Sequence, residues 1–248
     1  MEDRRDLGRS GFEQGSLYSS GRPDYPLIAL DYFKDALNLH AGTVAVDLGA
    51  GTGIFSRQIV PFLGKLVAVE PSTSMREEFR RLNRGIDVVD GSDCSIPLGD
   101  VSADVVFVAQ AFHWFTLPDA LIEIHRVLTP AGRLALIWNE RDESVEWVHE
   151  LSHAMQWDTR QPYEVGRDFT DDLLAGPFGD VERREFTHSQ SLDHNGLMLR
   201  VSSTSYLTIM ESAERDEILK AAQRVIAGLP EKVELPYCTT TYVATALA

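Results

Sequence analysis

The sequence predicts an α/β fold in which a mostly parallel β-sheet carries helices on both faces. Short runs of β-branched and apolar residues, typical of strands buried on both sides, alternate along the chain with amphipathic helical patterns. The first of these runs continues directly into a turn that contains three glycines and then into a helix. A strand, a glycine turn and a helix N-terminus in this order predict a ligand site at the carboxyl edge of the sheet.

Five buried strands are predicted in the first part of the chain. They are Val44–Leu48, Leu66–Glu70, Ile86–Asp90, Ala103–Ala109 and Arg133–Trp138. Helical patterns accompany them over Leu27–Leu37 and Ile54–Leu63, after Ser72 or Thr73 as a cap, and between Thr116 and Pro130. Because strands and helices alternate, the sheet is expected to grow by parallel βαβ units.

The remaining sequence predicts three helices and two more strands, which brings the sheet to seven. The helices are 144–158, Leu192–Tyr206 and Ala213–Leu229, and the strands are a peripheral Val181–Phe186 and a last strand over Val233–Leu247 that closes the sheet antiparallel. Leu151 and Met155 recur at helical spacing, which favours core packing over a cofactor contact. His149 and His153 have the spacing of a metal pair, but no third ligand follows nearby, so no metal site is predicted.

Composition narrows the range of partners. The chain has 248 residues and a formal net charge of −15, so its field repels nucleic-acid phosphates and anionic membranes. Its two cysteines, Cys94 and Cys238, form neither a disulfide framework nor a zinc pattern. No apolar run is long enough to span a membrane, and the charged N-terminus lacks a signal core. We therefore expect a cytoplasmic protein that binds neither nucleic acid nor membrane.

The glycine turn decides between two classes of ligand. Glycines at 49, 51 and 53 do not fit the G-x-G-x-x-G spacing of a dinucleotide site, whose last glycine would fall at Ile54. Asp47, two residues before the first glycine, would repel a pyrophosphate and attract an amine. The pattern Asp-x-Gly-x-Gly-x-Gly resembles motif I of the class I S-adenosylmethionine (SAM) methyltransferases. An ordinary tight turn without a ligand is the alternative. It does not explain three glycines in five residues, because each glycine loses much conformational entropy on folding.

The resemblance implies a Rossmann-like seven-stranded sheet with a helical cap over the active site, all in one methyltransferase domain. We expect an N-terminal cover segment at 1–38, a SAM-binding core at 39–140, a substrate-cap insertion at 141–210, and a C-terminal helix and closing strand at 211–248. In this family the turn packs against the amino-acid and ribose parts of SAM. The implied cofactor residues around it are Asp47, Gly49, Ala50, Gly51, Thr52 and Gly53.

Glu70 ends the second predicted strand about twenty residues after the turn, where a carboxylate accepts the ribose hydroxyls of an adenosine. Pro71 follows it and is assigned to the same site. The stretch from Gly91 to Leu98 resembles the adenine loop of the family. Ser92 occupies its usual Asp position and Cys94 its Glu position, while the acid has moved to Asp93. Which of these three side chains contacts adenine is left open, and so is a role for Asp93 in capping a turn.

Gln110-Ala111-Phe112-His113-Trp114 follows the fourth strand and resembles the Ala-x-His-Trp-Phe stretch of the trans-aconitate and ubiquinone-type branch of these enzymes. Gln110 and Ala111 are assigned to the cofactor site, and Phe112 and Trp114 to the substrate pocket, because aromatic walls exclude water and face a sulfonium favourably. His113 is the one group here that takes a proton near neutral pH, which makes it the candidate catalytic base. A histidine that only shapes the turn is the alternative.

Three further residues complete the predicted site. Tyr18 and Arg22 belong to a Tyr-x-x-x-Arg-Pro segment that resembles the N-terminal cover of this branch, where both side chains reach the SAM carboxylate. A surface turn fixed by prolines is the alternative for this segment. Asn139 follows the fifth strand, and Tyr206 ends a Ser-x-Ser-Tyr segment similar to one near the substrate entrance.

The predicted activity is methyl transfer from SAM to an O, N or C atom of a small-molecule metabolite, leaving S-adenosylhomocysteine. A SAM-binding regulator without turnover and an NAD-dependent oxidoreductase are the alternatives, and the glycine spacing disfavours the second. The sequence does not identify the acceptor or the oligomeric state.

Overall fold

The computed structural model describes residues 21–160, 166–208 and 210–247. Its strands are β1 (Val44–Leu48), β2 (Lys65–Val69), β3 (Asp87–Val89), β4 (Ala103–Ala109), β5 (Leu128–Arg141), β6 (Phe178–Asp193) and β7 (Lys232–Ala246). Its α-helices are α1 (Leu27–Ala36), α2 (Ile54–Ile59), α3 (Thr73–Leu82), α4 (Asp119–Val127), α5 (Glu146–Ala154), α6 (Trp157–Arg160), α7 (Thr170–Leu174), α8 (His194–Ser202), α9 (Ser205–Thr208) and α10 (Ser212–Ala227). Short 3₁₀ turns lie at Val60–Phe62 and Phe112–Trp114.

The seven strands form one sheet in the order β3-β2-β1-β4-β5-β7-β6. The pairs β2–β3, β1–β2, β1–β4 and β4–β5 are parallel, and the last strands are antiparallel. This mixed sheet with helices confirms the predicted Rossmann-like fold, including the closing antiparallel strand. The strand order reverses at β1 and β4, and open α/β sheets bind ligands at such a switch point.

Several elements end elsewhere than the pattern predicts, each for a local reason. Helix α2 stops at Ile59 and passes into a 3₁₀ turn that contains Pro61, which has no N–H to continue an α-helix. The predicted turn at 130–132 lies inside β5 as an irregularity, with Ala131 at a φ of 59°. The helix predicted over 144–158 is broken after Ala154, where Gln156 adopts a φ of 55°.

The chain divides into two compact units. Of the described residues, the core unit comprises 24–139, 168–186 and 239–247, and the second unit comprises 21–23, 140–160, 166–167, 187–208 and 210–238. The division of one methyltransferase domain into the four segments given above stays a prediction. Within the described ranges, no helix is long and apolar enough to cross a membrane.

Each unit has its own hydrophobic core. In the core unit, the rings of Phe33, Phe55 and Phe107 lie 5.2 to 6.4 Å apart, and Phe79 of α3 packs with Ala68 and Val88. These contacts hold α1, α2 and α3 against the sheet and fix the turn between β1 and α2. In the second unit, Leu151 and Met155 are buried in a cluster of α5, α8 and α10, as their spacing predicts.

Candidate functional site

The glycine turn joins β1 to α2 at the carboxyl edge of the sheet. Gly49, Gly51 and Gly53 have φ values of 74°, 56° and 81°, in the left-handed region where a side chain is strained. The backbone N–H groups of Gly49 and Ala50 donate to the carbonyl oxygen of Val69 at 2.8 and 3.1 Å. These two bonds fasten the turn to the end of β2, so its position is set by the sheet.

The three glycines serve different purposes. A Cβ on Gly49 would lie 2.7 Å from the Cβ of Ala111, and one on Gly53 would overlap the ring of Phe79. Both are therefore required by packing inside the core unit. A Cβ on Gly51 would meet no atom of the described residues within 4 Å. The prediction that bare backbone faces a ligand therefore applies to Gly51.

The turn has a further support that the sequence did not indicate. Asn83, after α3, is buried and donates through Nδ2 to the carbonyl oxygens of Thr52 and Phe79 at 2.8 and 2.9 Å. Thr52 itself is 1% exposed, and its hydroxyl has no partner among the described residues. A lone Asn after a helix carries no sequence signal for this contact, because the two segments meet only in the folded chain.

Glu70 lies directly after β2 and is only 6% exposed. Its Oε2 accepts from the N–H of Gly51 at 2.9 Å, and its Oε1 accepts from the N–H of Ser72 at 2.8 Å. Burial raises the pKa of this carboxyl, while the Ser72 and Gly51 amides act in the opposite direction. The structure therefore brings Glu70 to the open glycine of the turn, and each oxygen keeps a lone pair for another donor. The ribose contact of Glu70 stays a prediction.

Asp47, near the end of β1, is completely buried. Its Oδ2 accepts from the hydroxyl of Ser56 on α2, while its Oδ1 has no partner within the part of the chain that the structure describes. Burial raises the pKa of Asp47 from its ordinary 3.8 to about 7, a shift that the Ser56 bond opposes and the Glu70 carboxyl adds to. A buried acceptor with a free oxygen, two residues before the turn, suits a ligand that brings an N–H donor.

The raised pKa of Asp47 predicts a pH-dependent stability. The folded protein keeps this proton up to about pH 7, whereas the unfolded chain releases it near 3.8, so stability falls as pH rises between these values. Asp47→Asn removes this pH dependence of the unfolding free energy. A shift of three pKa units sets an upper limit of about 4 kcal/mol on how much more stable the variant is than wild type at pH 8. Urea unfolding at pH 5, 6.5 and 8 measures it. Asp31→Asn on the exposed face of α1 is the control, and parallel pH profiles for wild type and Asp47→Asn would contradict the prediction.

The predicted adenine loop after β3 is a tight turn. Ser92 and Ser95 exchange backbone hydrogen bonds, and a Cβ on Gly91 would lie 2.7 Å from Pro97. Asp93 Oδ2 accepts from the N–H of Thr116 at 2.6 Å, so Asp93 ties this loop to the segment before α4. Cys94 is exposed, with its Sγ 3.5 Å from the same carboxylate. The adenine contact of these three residues stays a prediction.

An arginine that the motif analysis missed anchors the far end of this loop. Arg126 of α4 donates to the carbonyl oxygens of Ile96 and Leu98 at 3.1 and 3.0 Å, and it pairs with Glu123 and Asp100. Glu123 in turn accepts from the N–H of Ile96 at 2.8 Å. Pro71, which follows Glu70 after the end of β2, is exposed, and its carbonyl oxygen accepts from Arg76 at 2.8 Å.

The residue after β4, Gln110, has a strained backbone conformation. Gln110 has a φ of 59°, unusual for a residue with a side chain and common where a function requires it. Its N–H donates to the carbonyl oxygen of Ile137 at 3.0 Å, and its Nε2 donates to that of Asn139 at 2.8 Å. These bonds hold the strand end next to β5. Ala111, which follows, is buried against Gly49.

An aromatic cluster follows in the 3₁₀ turn and on β5. The ring of His113 lies 4.7 Å from that of Trp114 and 6.1 Å from that of Trp138, between centroids. Phe169 stacks on Trp138 at 4.6 Å and meets Phe112 edge-on at 5.4 Å. Trp138 is 3% exposed, and its Nε1 has no hydrogen-bond partner among the described residues. Phe112, His113 and Trp114 thus lie in one cluster with Trp138 and Phe169, and their site roles stay predictions.

Four predicted site residues remain, namely Asn139, Arg22, Tyr206 and Tyr18. Asn139 is buried in the core unit, where its Nδ2 donates to the carbonyl oxygen of Asp24 and its Oδ1 accepts from Thr239. In the second unit, Arg22 donates to the carbonyl oxygen of Ser203 at 3.4 Å, and the buried Tyr206 donates to that of Met155 at 2.7 Å. These bonds give Asn139 and Tyr206 structural tasks. Tyr18 lies outside the described residues, and the site roles of all four stay predictions.

Comparison with known proteins identifies the family. The family model for a methyltransferase domain matches residues 46–136. Over 247 residues the chain is 34% identical to an uncharacterised methyltransferase of Mycobacterium tuberculosis, covering 98% of each protein. It is 33% identical over 244 residues to an uncharacterised methyltransferase of Schizosaccharomyces pombe, covering 95% of this chain and 96% of the relative.

Solved structures show the same fold. A protein described as a candidate type II methyltransferase from Anaeromyxobacter dehalogenans superposes with a TM-score of 0.65 at 23% identity, covering 91% of this chain and 97% of its own. Geranyl diphosphate methyltransferase in complex with SAM gives a TM-score of 0.50 at 13% identity, covering 89% and 85%. Fold and relatives together define a class I SAM-dependent methyltransferase. The chain belongs to the methyltransferase family of its Mycobacterium and Schizosaccharomyces relatives, which confirms the resemblance read from motif I.

Proposed function

We propose that the protein binds SAM at the carboxyl edge of β1, β2 and β4 and transfers its methyl group to an O, N or C atom of a small molecule. The observation that carries the proposal is the open backbone of Gly51 beside the Glu70 carboxylate. When bound, SAM supplies a methyl group on a sulfonium, which a nucleophile displaces directly. The proposed holding residues are Asp47, the glycine turn, Glu70 and the 91–94 loop.

The residues near this turn fit SAM on three counts. Gly51 leaves room for a ligand, and Glu70 has free lone pairs for the two ribose hydroxyls. The unpaired Oδ1 of Asp47 is an acceptor for a donor on the amino-acid part of the cofactor. Since a pyrophosphate would face two buried carboxylates here, the same arrangement disfavours a dinucleotide.

The aromatic cluster is the proposed place of the acceptor. Phe112, Trp114, Trp138 and Phe169 exclude water from the reacting atoms, and Trp138 Nε1, which has no partner in the described part of the chain, is a donor that can orient the acceptor. In this proposal an imidazole nitrogen of His113 takes the proton that the acceptor's nucleophilic atom gives up. The formal net charge of −15 favours a small metabolite over a nucleic acid, and the two separated cysteines agree with a cytoplasmic location.

Calorimetric titration with SAM, S-adenosylhomocysteine and NADH tests the cofactor. Micromolar binding of both SAM compounds with no response to NADH is the expected result, and the reverse pattern would overturn the proposal. Release of S-adenosylhomocysteine across a panel of metabolites then tests turnover. Binding of SAM without any acceptor in a broad panel would favour a SAM-binding regulator.

His113→Ala is expected to lower kcat by about a hundredfold while it changes SAM affinity little, because general-base catalysis typically contributes 10² to 10⁴. Turnover and calorimetry with the same preparation measure the two effects. His40→Ala is the matched control, since His40 is exposed and precedes β1 at the opposite end of that strand. An equal loss of kcat and affinity would identify His113 as a binding or structural residue.

A further inference from the structure

The second unit contains two buried arginines that the proposed reaction does not use. Arg141 ends β5 and is 7% exposed, and Arg200 lies on α8 and is 5% exposed. Both contact buried residues of the second unit's core, among them Met155 and Tyr237. Removing a charge from water is costly unless a counter-charge or a full set of hydrogen bonds replaces the water.

Within the described ranges, neither guanidinium has a full set of hydrogen-bond partners. Arg141 lies over the ring of Trp157, 4.6 Å from its centroid, and its Nη1 is 3.2 Å from the Sδ of Met155. Arg200 donates through Nε to the hydroxyl of Tyr237 at 3.0 Å. Nη2 of Arg141 and Nη1 of Arg200 are both buried with no acceptor in the described part of the chain. Each arginine therefore keeps an unsatisfied donor in a site closed to bulk water.

Among the described residues, Glu143 is a carboxylate whose charge acts on Arg141, but no carboxylate forms an ion pair with either arginine. Burial and, as a smaller effect, the positive charge of Arg200 together lower the pKa of Arg141 to about 10, against the opposing effects of Tyr237, Tyr206 and Glu143. Both guanidinium groups contact the same buried cluster, and the positive charge of one acts on the other, without an ion pair among the described residues to balance them.

We propose that Arg141 and Arg200 form a binding site for the carboxylate or phosphate group of a small molecule. An oxyanion supplies acceptors for both unsatisfied donors and neutralises the repulsion, and the planar fork of arginine suits either group. The cation–π contact with Trp157 and the Tyr237 bond hold the two forks in place for it. The site rests on residues of the second unit alone, so it stands whether or not the proposed methyl transfer is correct.

Thermal unfolding of the full chain tests the site with three probes, sodium phosphate, sodium acetate and sodium succinate, at constant ionic strength set with sodium chloride. We expect at least one probe to raise the unfolding midpoint in a saturable way at millimolar concentration. If phosphate raises the midpoint at the lowest concentration, the site binds phosphate groups; if acetate or succinate does so, it binds carboxylates. No saturable rise with any probe, or the same rise in every variant, would overturn the proposal.

Arg141→Met and Arg200→Met are expected to lower the affinity for the stabilising anion at least tenfold. Arg224→Met, at an exposed position of α10 in the same unit, has the same change of charge and keeps wild-type binding. In chloride alone, Arg200→Met has a midpoint equal to or above that of wild type, because it removes buried repulsion. A purely structural arginine pair would give a lower midpoint there. If either variant fails to fold by circular dichroism, Arg200→Lys replaces it, since lysine keeps the charge and loses the fork.

Discussion

Glu70→Ala is expected to lower the affinity for SAM at least tenfold. The carboxylate offers two charge-assisted acceptors to the ribose hydroxyls, and such bonds contribute about 1.5–3 kcal/mol. The change also leaves the N–H groups of Gly51 and Ser72 without their acceptor, so the open face of the turn loses its fixed position. Calorimetric titration with SAM measures the affinity, and circular dichroism at the same temperature checks that the variant is folded.

The control is Glu77→Ala. Glu77 is exposed on α3, the helix that follows Glu70, so this variant has the same change of charge without a change at the turn. It should bind SAM as wild type does. If Glu70→Ala kept wild-type affinity, Glu70 would be removed from the site, and its buried carboxylate would have only the structural task of holding Gly51 and Ser72.

Substitution of the glycines should separate binding from folding. Gly53→Ala places a Cβ at a φ of 81° and 2.6 Å from the ring of the fully buried Phe79, so we expect it to cost about 2–4 kcal/mol of unfolding free energy. Gly51→Ala meets no described atom and is expected to cost only about 1–2 kcal/mol for its left-handed backbone. Its methyl group occupies the space assigned to SAM, so affinity for SAM should fall at least tenfold, about 1.4 kcal/mol.

Gly85→Ala is the matched control for Gly51→Ala. Gly85 has a φ of 92°, and a Cβ there also meets nothing within 4 Å among the described residues, but it lies in the loop between α3 and β3. Both variants should lose similar stability in urea unfolding, and only Gly51→Ala should lose SAM affinity. Wild-type affinity in Gly51→Ala would mean that the cofactor does not approach this face of the turn.

The pattern of the chain was sufficient to predict the sheet and the position of its ligand edge. Strands β1, β2 and β4 are buried along most of their length, and such strands appear in the sequence as nearly continuous apolar runs. Boundaries were less predictable. Pro61 shortens α2, and a left-handed residue at Gln156 breaks the helix predicted over 144–158, because tertiary packing can override the local apolar spacing.

The sequence by itself determined the class of protein, because motif I and the acid at Glu70 depend on residue types at fixed spacing along one short segment. Only the tertiary structure decided how those residues are used. It assigned Gly49 and Gly53 to packing, left Gly51 open, buried Asp47, and set Asn83 under the turn. It also placed Arg141 and Arg200, 59 residues apart in the chain, where the charge of one lowers the pKa of the other. Burial and contact between distant segments exist only after folding, so neither leaves a pattern in the local sequence.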